Sequence, residues 1–235
     1  MNTAAPHRAE PPGPAAGVGK KDPRASALEF DRIADEIFAP IYPVIARRLL
    51  ELAGVYWGRC IDLGCGGGHL GLAAAEWFEG EIILLDSNPY ALELAEKRIS
   101  CRNRIRTLRA DVHGLPFPRE SADLLLSRGA MWFWDAEQSL REIWRVLKPE
   151  GAAVIGGGYG TGELKAAVYR RMSDRNGEDW SVRRKRTVEG RSPEDFARVL
   201  EAAGLCRSRG SRFEVVHEES GDWLVLRKGG GEAAA

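Results

Sequence analysis

Residues 61–70 read Ile61-Asp62-Leu63-Gly64-Cys65-Gly66-Gly67-Gly68-His69-Leu70. An apolar segment runs directly into a cluster of glycines, and a stretch rich in Ala and Leu follows it up to Phe78. Glycine permits positive φ and lets a ligand lie against bare backbone. The free N–H groups at a helix start attract a negative or electron-rich group. This stretch therefore predicts a strand, a ligand-binding turn and a helix, as at the carboxyl edge of a parallel sheet.

Apolar segments alternate with helical patterns on both sides of this turn. Strands that are apolar throughout and separated by helices indicate a parallel sheet buried on both faces. A final pair of apolar segments flanks a short polar turn, which predicts an antiparallel hairpin. We therefore expect an α/β fold with a doubly wound sheet of seven strands, mostly parallel. The predicted strands are 59–63, 81–86, 105–111, 122–127, 152–156, 212–217 and 223–227.

The length of 235 residues fits one large domain, which we place at residues 24–228. Residues 24–56 carry apolar side chains at helical spacing, and prolines at 40 and 43 divide them into two helices, which predicts an N-terminal helical cap. Residues 1–23 and 229–235 are rich in small residues, Pro or Gly, so we expect them to be disordered tails.

Composition and charge exclude several classes of protein. The 34 basic and 34 acidic residues cancel, which argues against a protein built for non-specific nucleic-acid binding. The four cysteines, at 60, 101, 206 and within the glycine turn at 65, form no CxxC pair, so neither a zinc site nor a disulfide framework is indicated. Reduced thiols favour a cytoplasmic protein. No apolar run approaches the roughly 18 residues of a membrane-spanning helix, so we expect no membrane association.

Two ligands fit the glycine turn. Gly66 to Gly71 satisfies the pattern G-x-G-x-x-G, and Asp86 follows Gly66 by 20 positions, the spacing of an NAD site. Asp62 favours the other ligand, because a carboxylate at the strand end would repel a pyrophosphate and could anchor a cationic amino group. S-adenosylmethionine has an ammonium group, a sulfonium group and no phosphate, and Asp86 could accept hydrogen bonds from its ribose diol.

The segment Asp62–Gly68 resembles motif I of the class I S-adenosylmethionine-dependent methyltransferases. Residues 140–151 resemble the L-x-E-x-x-R-V-L-K-P-G-G segment of the "type 11" branch, with Glu150 in place of the first glycine. The segments 85–86, 110–118 and 122–127 resemble further parts of the same family in the same order, and the resemblance spans residues 28–228. It implies a Rossmann-like fold, S-adenosyl-L-methionine as cofactor, and methyl transfer by in-line displacement.

The resemblance also implies which residues contact the cofactor. Asp86 would hold the ribose and Asp111 the adenine amino group. Displacement at a sulfonium methyl group needs no covalent intermediate, so Cys65 is interpreted as a small residue that fills space. We assign no catalytic residue and no metal. The full predicted cofactor set is Asp62, Gly64, Cys65, Gly66, Gly68, Asp86, Ser87, Asp111, Val112, Ser127 and Arg128.

Four aromatic residues are candidates for the acceptor pocket: Tyr42, Trp132, Trp134 and Tyr159. The alternative for each is hydrophobic packing, since aromatic residues dominate protein cores. In the family, the segment between the fifth strand and the last helix often recognises substrate, so residues 160–191 are interpreted as a substrate-recognition insertion. It contains the basic run 182–186, which interleaves with acidic residues and is interpreted as a solvated face.

The sequence says less about the identity of the methyl acceptor than about that of the cofactor. Residues 127–130 read Ser-Arg-Gly-Ala and lack the Asn/Asp-Pro-Pro-Tyr/Phe signature of relatives that methylate nucleic-acid amines. We therefore expect a small-molecule acceptor, with a protein-bound or corrinoid-type acceptor left open. Two other hypotheses remain, an NAD-dependent oxidoreductase and a non-catalytic protein that binds S-adenosylmethionine.

Overall fold

The computed structural model describes residues 22–99 and 103–230. Most of the two predicted tails and Cys101 lie outside these residues. Residues 22–23 and 229–230, at the inner ends of the predicted tails, are among the described residues. The side chain of Asp22 accepts a hydrogen bond from the Arg24 N–H (3.1 Å) and caps the first helix, and the Gly229 N–H donates to Ser211 Oγ (2.9 Å).

The predicted seven-stranded, mostly parallel sheet is confirmed. Its spatial order is β3-β2-β1-β4-β5-β7-β6. The last strand, β7, runs antiparallel to both of its neighbours, β5 and β6, as the hairpin pattern predicted. The strands are β1 (Trp57–Leu63), β2 (Glu79–Asp86), β3 (Ile105–Arg109), β4 (Ala122–Arg128), β5 (Leu147–Gly158), β6 (Arg212–Glu218) and β7 (Gly221–Arg227).

Helices cover the sheet and form the N-terminal cap. A π-helical turn at Ala34–Phe38 follows the first helix. Pro40 separates the first two helices as predicted, whereas Pro43 lies within the first turn of the second, where its missing N–H costs no hydrogen bond. The helices are α1 (Pro23–Ile33), α2 (Ile41–Ala53), α3 (His69–Ala74), α4 (Pro89–Arg98), α5 (Ala136–Val146), α6 (Gly162–Asn176), α7 (Trp180–Val188) and α8 (Pro193–Ala202).

Element boundaries differ most from the sequence pattern around β5. The pattern predicted a strand at residues 152–156, whereas β5 begins at Leu147, directly after α5. Leu147 pairs with Ala122 ahead of a register shift, and Glu150 takes a left-handed conformation with φ of 65°. The extension depends on pairing with a distant strand, which a local apolar count does not detect.

The core has two parts, one on each face of the sheet. In β4, Leu124 and Leu126 belong to one apolar cluster and Leu125 to the other, and all three are fully buried. This alternation is what a central strand covered on both sides requires, because successive side chains point to opposite faces.

The site is positioned by the strand order. β1 is paired with both β2 and β4, so the chain fills one side of β1 with β2 and β3 and then crosses to the other side at β4. In the register, Asp62 is level with Leu84 of β2 and Leu126 of β4. The carboxyl ends of the three strands therefore meet at one edge, where such folds leave a ligand crevice.

Candidate active site

A cavity of about 570 Å³ opens at this edge of the sheet. Ligand sites commonly have volumes of about 300–1,000 Å³. The cavity is bounded by the glycine turn, the ends of β2, β4 and β5, the N-terminal cap and α7. It brings together most of the residues predicted from the sequence, namely Tyr42, Gly64, Cys65, Gly66, Asp86, Ser87, Asp111, Val112, Arg128, Trp132, Trp134 and Tyr159.

Three of the predicted cofactor residues lie behind the cavity wall. Asp62 is 1% exposed, and its carboxylate accepts a hydrogen bond from the Gly71 N–H at 2.9 Å. Gly68 begins α3 with φ of 83°, a conformation that favours glycine. Ser127 Oγ donates to the Leu63 carbonyl at 2.7 Å and so links β4 to β1. All three support the glycine turn from behind.

Burial changes the ionisation of Asp62. The pKa of its carboxyl group is raised from 3.8 to about 7: desolvation is the largest cause, the hydrogen bond from the Gly71 N–H opposes it, and the negative charge of Asp86 adds to it. An adjacent cation would stabilise the carboxylate and lower this pKa again. The site is therefore suited to a positively charged group at this position and would oppose a second negative charge.

Asp86 shapes the glycine turn and also faces the cavity. Its Oδ2 accepts from the Gly66 N–H at 2.9 Å and its Oδ1 from the Asn88 N–H at 2.8 Å. The N–H groups of Gly64 and Cys65 both donate to the Leu85 carbonyl, at 2.8 and 3.0 Å. Each oxygen of Asp86 still has acceptor capacity for a ligand hydroxyl, because an ionised carboxylate offers about four acceptor sites.

His113 holds the carboxylate of Asp111 in place. Asp111 Oδ1 accepts from the His113 backbone N–H (3.0 Å) and lies 2.6 Å from His113 Nδ1. His113 Nε2 accepts from the Asp135 N–H at 2.9 Å, so the proton of the neutral ring is on Nδ1. The backbone N–H of His113 and its ring together lower the pKa of Asp111.

The N-terminal cap is fastened to the glycine turn by residues that the sequence analysis missed. Arg98 Nη1 donates to Asp31 Oδ1 (2.8 Å), and Arg98 Nη2 donates to Asp35 Oδ2 (2.6 Å). Arg98 Nη1 also donates to the Gly67 carbonyl at 3.3 Å. His69, which opens α3, lies 2.8 Å from Asp35 Oδ1 through its Nε2. No local pattern signals this network, since its members come from α1, the π-helical turn, the glycine turn, α3 and α4.

Aromatic rings and guanidinium groups form a further part of the cavity lining. Tyr42 stacks on the His69 ring with centroids 5.0 Å apart. The Arg128 guanidinium lies 4.7 Å from the centre of the Phe38 ring and 5.3 Å from that of Tyr159. Arginine over an aromatic face is a favourable contact.

Trp132 and Trp134 support both of the interpretations drawn from the sequence. Trp132 is 7% exposed and belongs to the core cluster, yet it also lines the cavity, as does the partly buried Trp134. Phe38 and Trp180 also line the cavity and were not predicted. The helical spacing of Trp180, Arg184 and Thr187, all lining residues, was a signal that could have identified this face of α7.

Comparison with known proteins identifies relatives over most of the chain. A family model described as a methyltransferase domain matches residues 61–155. A crystal structure from Methanococcus maripaludis, of a protein assigned as an S-adenosyl-L-methionine-dependent methyltransferase, is 33% identical. The match has a TM-score of 0.82 and covers 93% of this chain and 100% of the other.

Curated relatives match over shorter stretches. A malonyl-[acyl-carrier protein] O-methyltransferase from Halorhodospira halophila is 32% identical over 153 residues, 61% of this chain and 50% of the relative. A demethylmenaquinone methyltransferase from Lactobacillus johnsonii is 39% identical over 101 residues, 40% of this chain and 41% of the relative. This chain thus spans half or less of the length of these two relatives.

Proposed function

This chain belongs to the S-adenosyl-L-methionine-dependent methyltransferases, and we propose that it transfers the methyl group of that cofactor to a small-molecule acceptor. The observation that carries the proposal is the arrangement of carboxyl groups around the glycine turn. Asp62 is buried behind the turn, and Asp86 and Asp111 line the cavity beside it. A cationic nucleoside without phosphate suits this set of groups, whereas a pyrophosphate would meet like charge.

Each of the three carboxyl groups is assigned to one part of the bound cofactor. Asp111, oriented by His113, would accept from the adenine amino group beside Val112. Asp86 would accept from the ribose hydroxyls at the end of β2. The amino-acid portion would lie over Gly64–Gly66 with its ammonium group towards Asp62, and Arg128 at the end of β4 offers a partner for its carboxylate.

The residues of the chain bind the cofactor and the acceptor and orient them for methyl transfer. When bound, the cofactor would supply an electrophilic methyl carbon, to which the acceptor nucleophile bonds in line as the methyl–sulfur bond breaks and the neutral thioether S-adenosylhomocysteine leaves. The cap, fastened to the glycine turn through Arg98, would cover this reaction from solvent, and the aromatic walls would hold the acceptor in line with the methyl group. A general base is needed only for an acceptor that is protonated at working pH, and no residue is assigned to that role.

Two features support a small-molecule acceptor. The cavity is enclosed by Phe38, Tyr42, Trp132 and Tyr159, a surface suited to a compact apolar body. One relative is named as a demethylmenaquinone methyltransferase, and another, a malonyl-[acyl-carrier protein] O-methyltransferase, is named for a small acyl group carried on a protein. We also propose that residues 160–191 recognise the acceptor, because α6 and α7 supply the outer wall of this part of the cavity.

Calorimetric titration with S-adenosylhomocysteine, with NAD⁺ in parallel, tests the proposal. We expect binding of the nucleoside thioether and no measurable binding of the dinucleotide. A screen of small acceptors, read out as S-adenosylhomocysteine formed from S-adenosylmethionine, then tests turnover. Preference for NAD⁺ would favour the oxidoreductase hypothesis. Cofactor binding without product from any acceptor would favour the non-catalytic binding protein.

A further inference from the structure

The basic run at residues 182–186 divides between two faces of α7. Arg183 and Arg186 point to the surface and pair with Glu178, at 2.9 and 2.7 Å. Arg184, between them, is half-buried and lines the cavity. The predicted solvated face therefore includes Arg183 and Arg186, whereas Arg184 faces the cavity.

Arg184 is held against aromatic rings. Its guanidinium lies 5.3 Å from the centre of the Trp132 ring and 5.6 Å from that of Tyr159, and Nη2 donates to the Gly157 carbonyl at 3.3 Å. Its positive charge acts on the Tyr169 hydroxyl, opposing the effect of burial, which raises the pKa of that tyrosine. Among residues 22–99 and 103–230, no carboxylate forms an ion pair with Arg184.

The acidic groups that line the cavity have other partners. Asp31 is bound by Arg98, Asp86 by the N–H groups of Gly66 and Asn88, and Asp111 by His113. Arg128, which also lies beside Tyr159 at 5.3 Å, adds a second positive charge to the same end of the cavity. A cavity end walled by aromatic rings and bearing uncompensated positive charge attracts an anion, because the low-dielectric walls focus the field.

Resting on the proposed function, we propose that Arg184 binds an anionic group of the methyl acceptor, a carboxylate or a phosphate, while the acceptor's apolar body lies between Trp132, Tyr159 and Trp180. The planar guanidinium carries five N–H donors in a geometry that matches two anion oxygens. The Gly157 carbonyl and the Tyr169 hydroxyl occupy part of this donor set, and the remaining N–H groups are available for this contact. Trp180 completes the enclosure, since its Nε1 donates to the Tyr159 hydroxyl at 3.4 Å. The anionic group anchors the acceptor through Arg184 and takes no part in the methyl transfer itself. Arg128 remains the proposed partner of the cofactor carboxylate.

The test uses three probes that share one apolar body: 1-naphthoate, 1-naphthyl phosphate and the neutral 1-naphthamide. Their affinities for the full chain saturated with S-adenosylhomocysteine are measured through the fluorescence of the cavity tryptophans. We expect at least one anion to bind about 10- to 100-fold more tightly than the amide, as a charge-assisted hydrogen bond implies. Tighter binding of 1-naphthoate would indicate that the acceptor carries a carboxylate, and tighter binding of 1-naphthyl phosphate would indicate that it carries a phosphate.

Variants locate the effect at Arg184. Arg184→Gln should abolish the preference for the anion while leaving S-adenosylhomocysteine affinity within twofold of the wild type, and Arg184→Lys should retain part of it. Lys185→Gln removes the same charge from an exposed neighbour and should change neither value. Equal affinity for anion and amide, undetectable anion binding, or full preference retained in Arg184→Gln would overturn the inference. Failure of the proposed function is distinguished by absent S-adenosylhomocysteine binding in the wild type.

Discussion

Arg98, at the end of α4, donates two hydrogen bonds of 2.8 and 2.9 Å to the carboxylate of Asp31 in α1, 67 residues away in the sequence. The Asp31 side chain is 11% exposed, so this is a largely desolvated contact. Asp31 also lies against the glycine turn, because a Cβ added at Gly67 would be 2.0 Å from Asp31 Oδ1. The cap and the proposed cofactor site therefore share one contact surface.

Replacing Arg98 should weaken both the packing of the cap and the binding of the cofactor. Arg98→Gln leaves Asp31 without its partner, and we expect a loss of about 1–3 kcal/mol in the free energy of unfolding together with weaker S-adenosylhomocysteine binding. Urea denaturation and calorimetry measure the two effects. The matched control is Arg32→Gln on α1, whose pair with Glu36 is exposed and screened by solvent, so that its loss should cost much less stability. Equal effects of the two substitutions would contradict the role given to Arg98.

Asp86 is expected to dominate recognition of the ribose. Asp86→Ala removes the predicted acceptor and also the partner of the Gly66 and Asn88 N–H groups. We expect a loss of about 1–3 kcal/mol in S-adenosylhomocysteine binding by calorimetry. Glu93→Ala, an exposed carboxylate on the neighbouring α4, serves as control and should bind like the wild type. Unchanged affinity in Asp86→Ala would show that the ribose lies elsewhere.

The buried carboxyl of Asp62 predicts a pH dependence of stability. Its pKa rises from 3.8 to about 7 on folding, so between these values the folded state binds more protons than the unfolded state. This group alone therefore makes stability fall as pH increases from about 4 to about 7. Asp62→Asn removes that contribution. We expect the stability of the variant relative to wild type to rise across this range in urea denaturation, and parallel curves would refute the assignment.

Two glycines test how tightly the site is packed. A Cβ at Gly71 would lie 2.3 Å from Leu84 Cδ2 and 3.1 Å from Asp62 Oδ2, within the buried start of α3. Gly71→Ala should therefore cost about 1–3 kcal/mol of stability. Gly114 has open space around its Cβ position, and Gly114→Ala should be neutral or stabilise by up to about 1 kcal/mol. Thermal denaturation in the absence of cofactor separates the two outcomes, and similar midpoints would contradict this packing.

The fold was accessible from the sequence because its signals are local. The apolar runs of β1, β2 and β4 carry their own indication of burial on two faces, and their order along the chain restricts the topology. Asp86 and the glycine turn were predictable for the same reason, since both follow directly from a strand end. The start of β5 was not, because it depends on pairing with Ala122 of another strand.

The sequence by itself determined the class of fold, the family resemblance and the position of the carboxyl groups at strand ends, since each of these depends on neighbours within a few residues. Only the tertiary structure decided that Arg98 joins the cap to the glycine turn and that Arg184, alone among the basic residues at 183–186, lines the cavity. The physical reason is that a helix can present any of its faces to the core until its packing partners are known. Contacts between distant segments select that face through burial and charge, and a local pattern does not contain them.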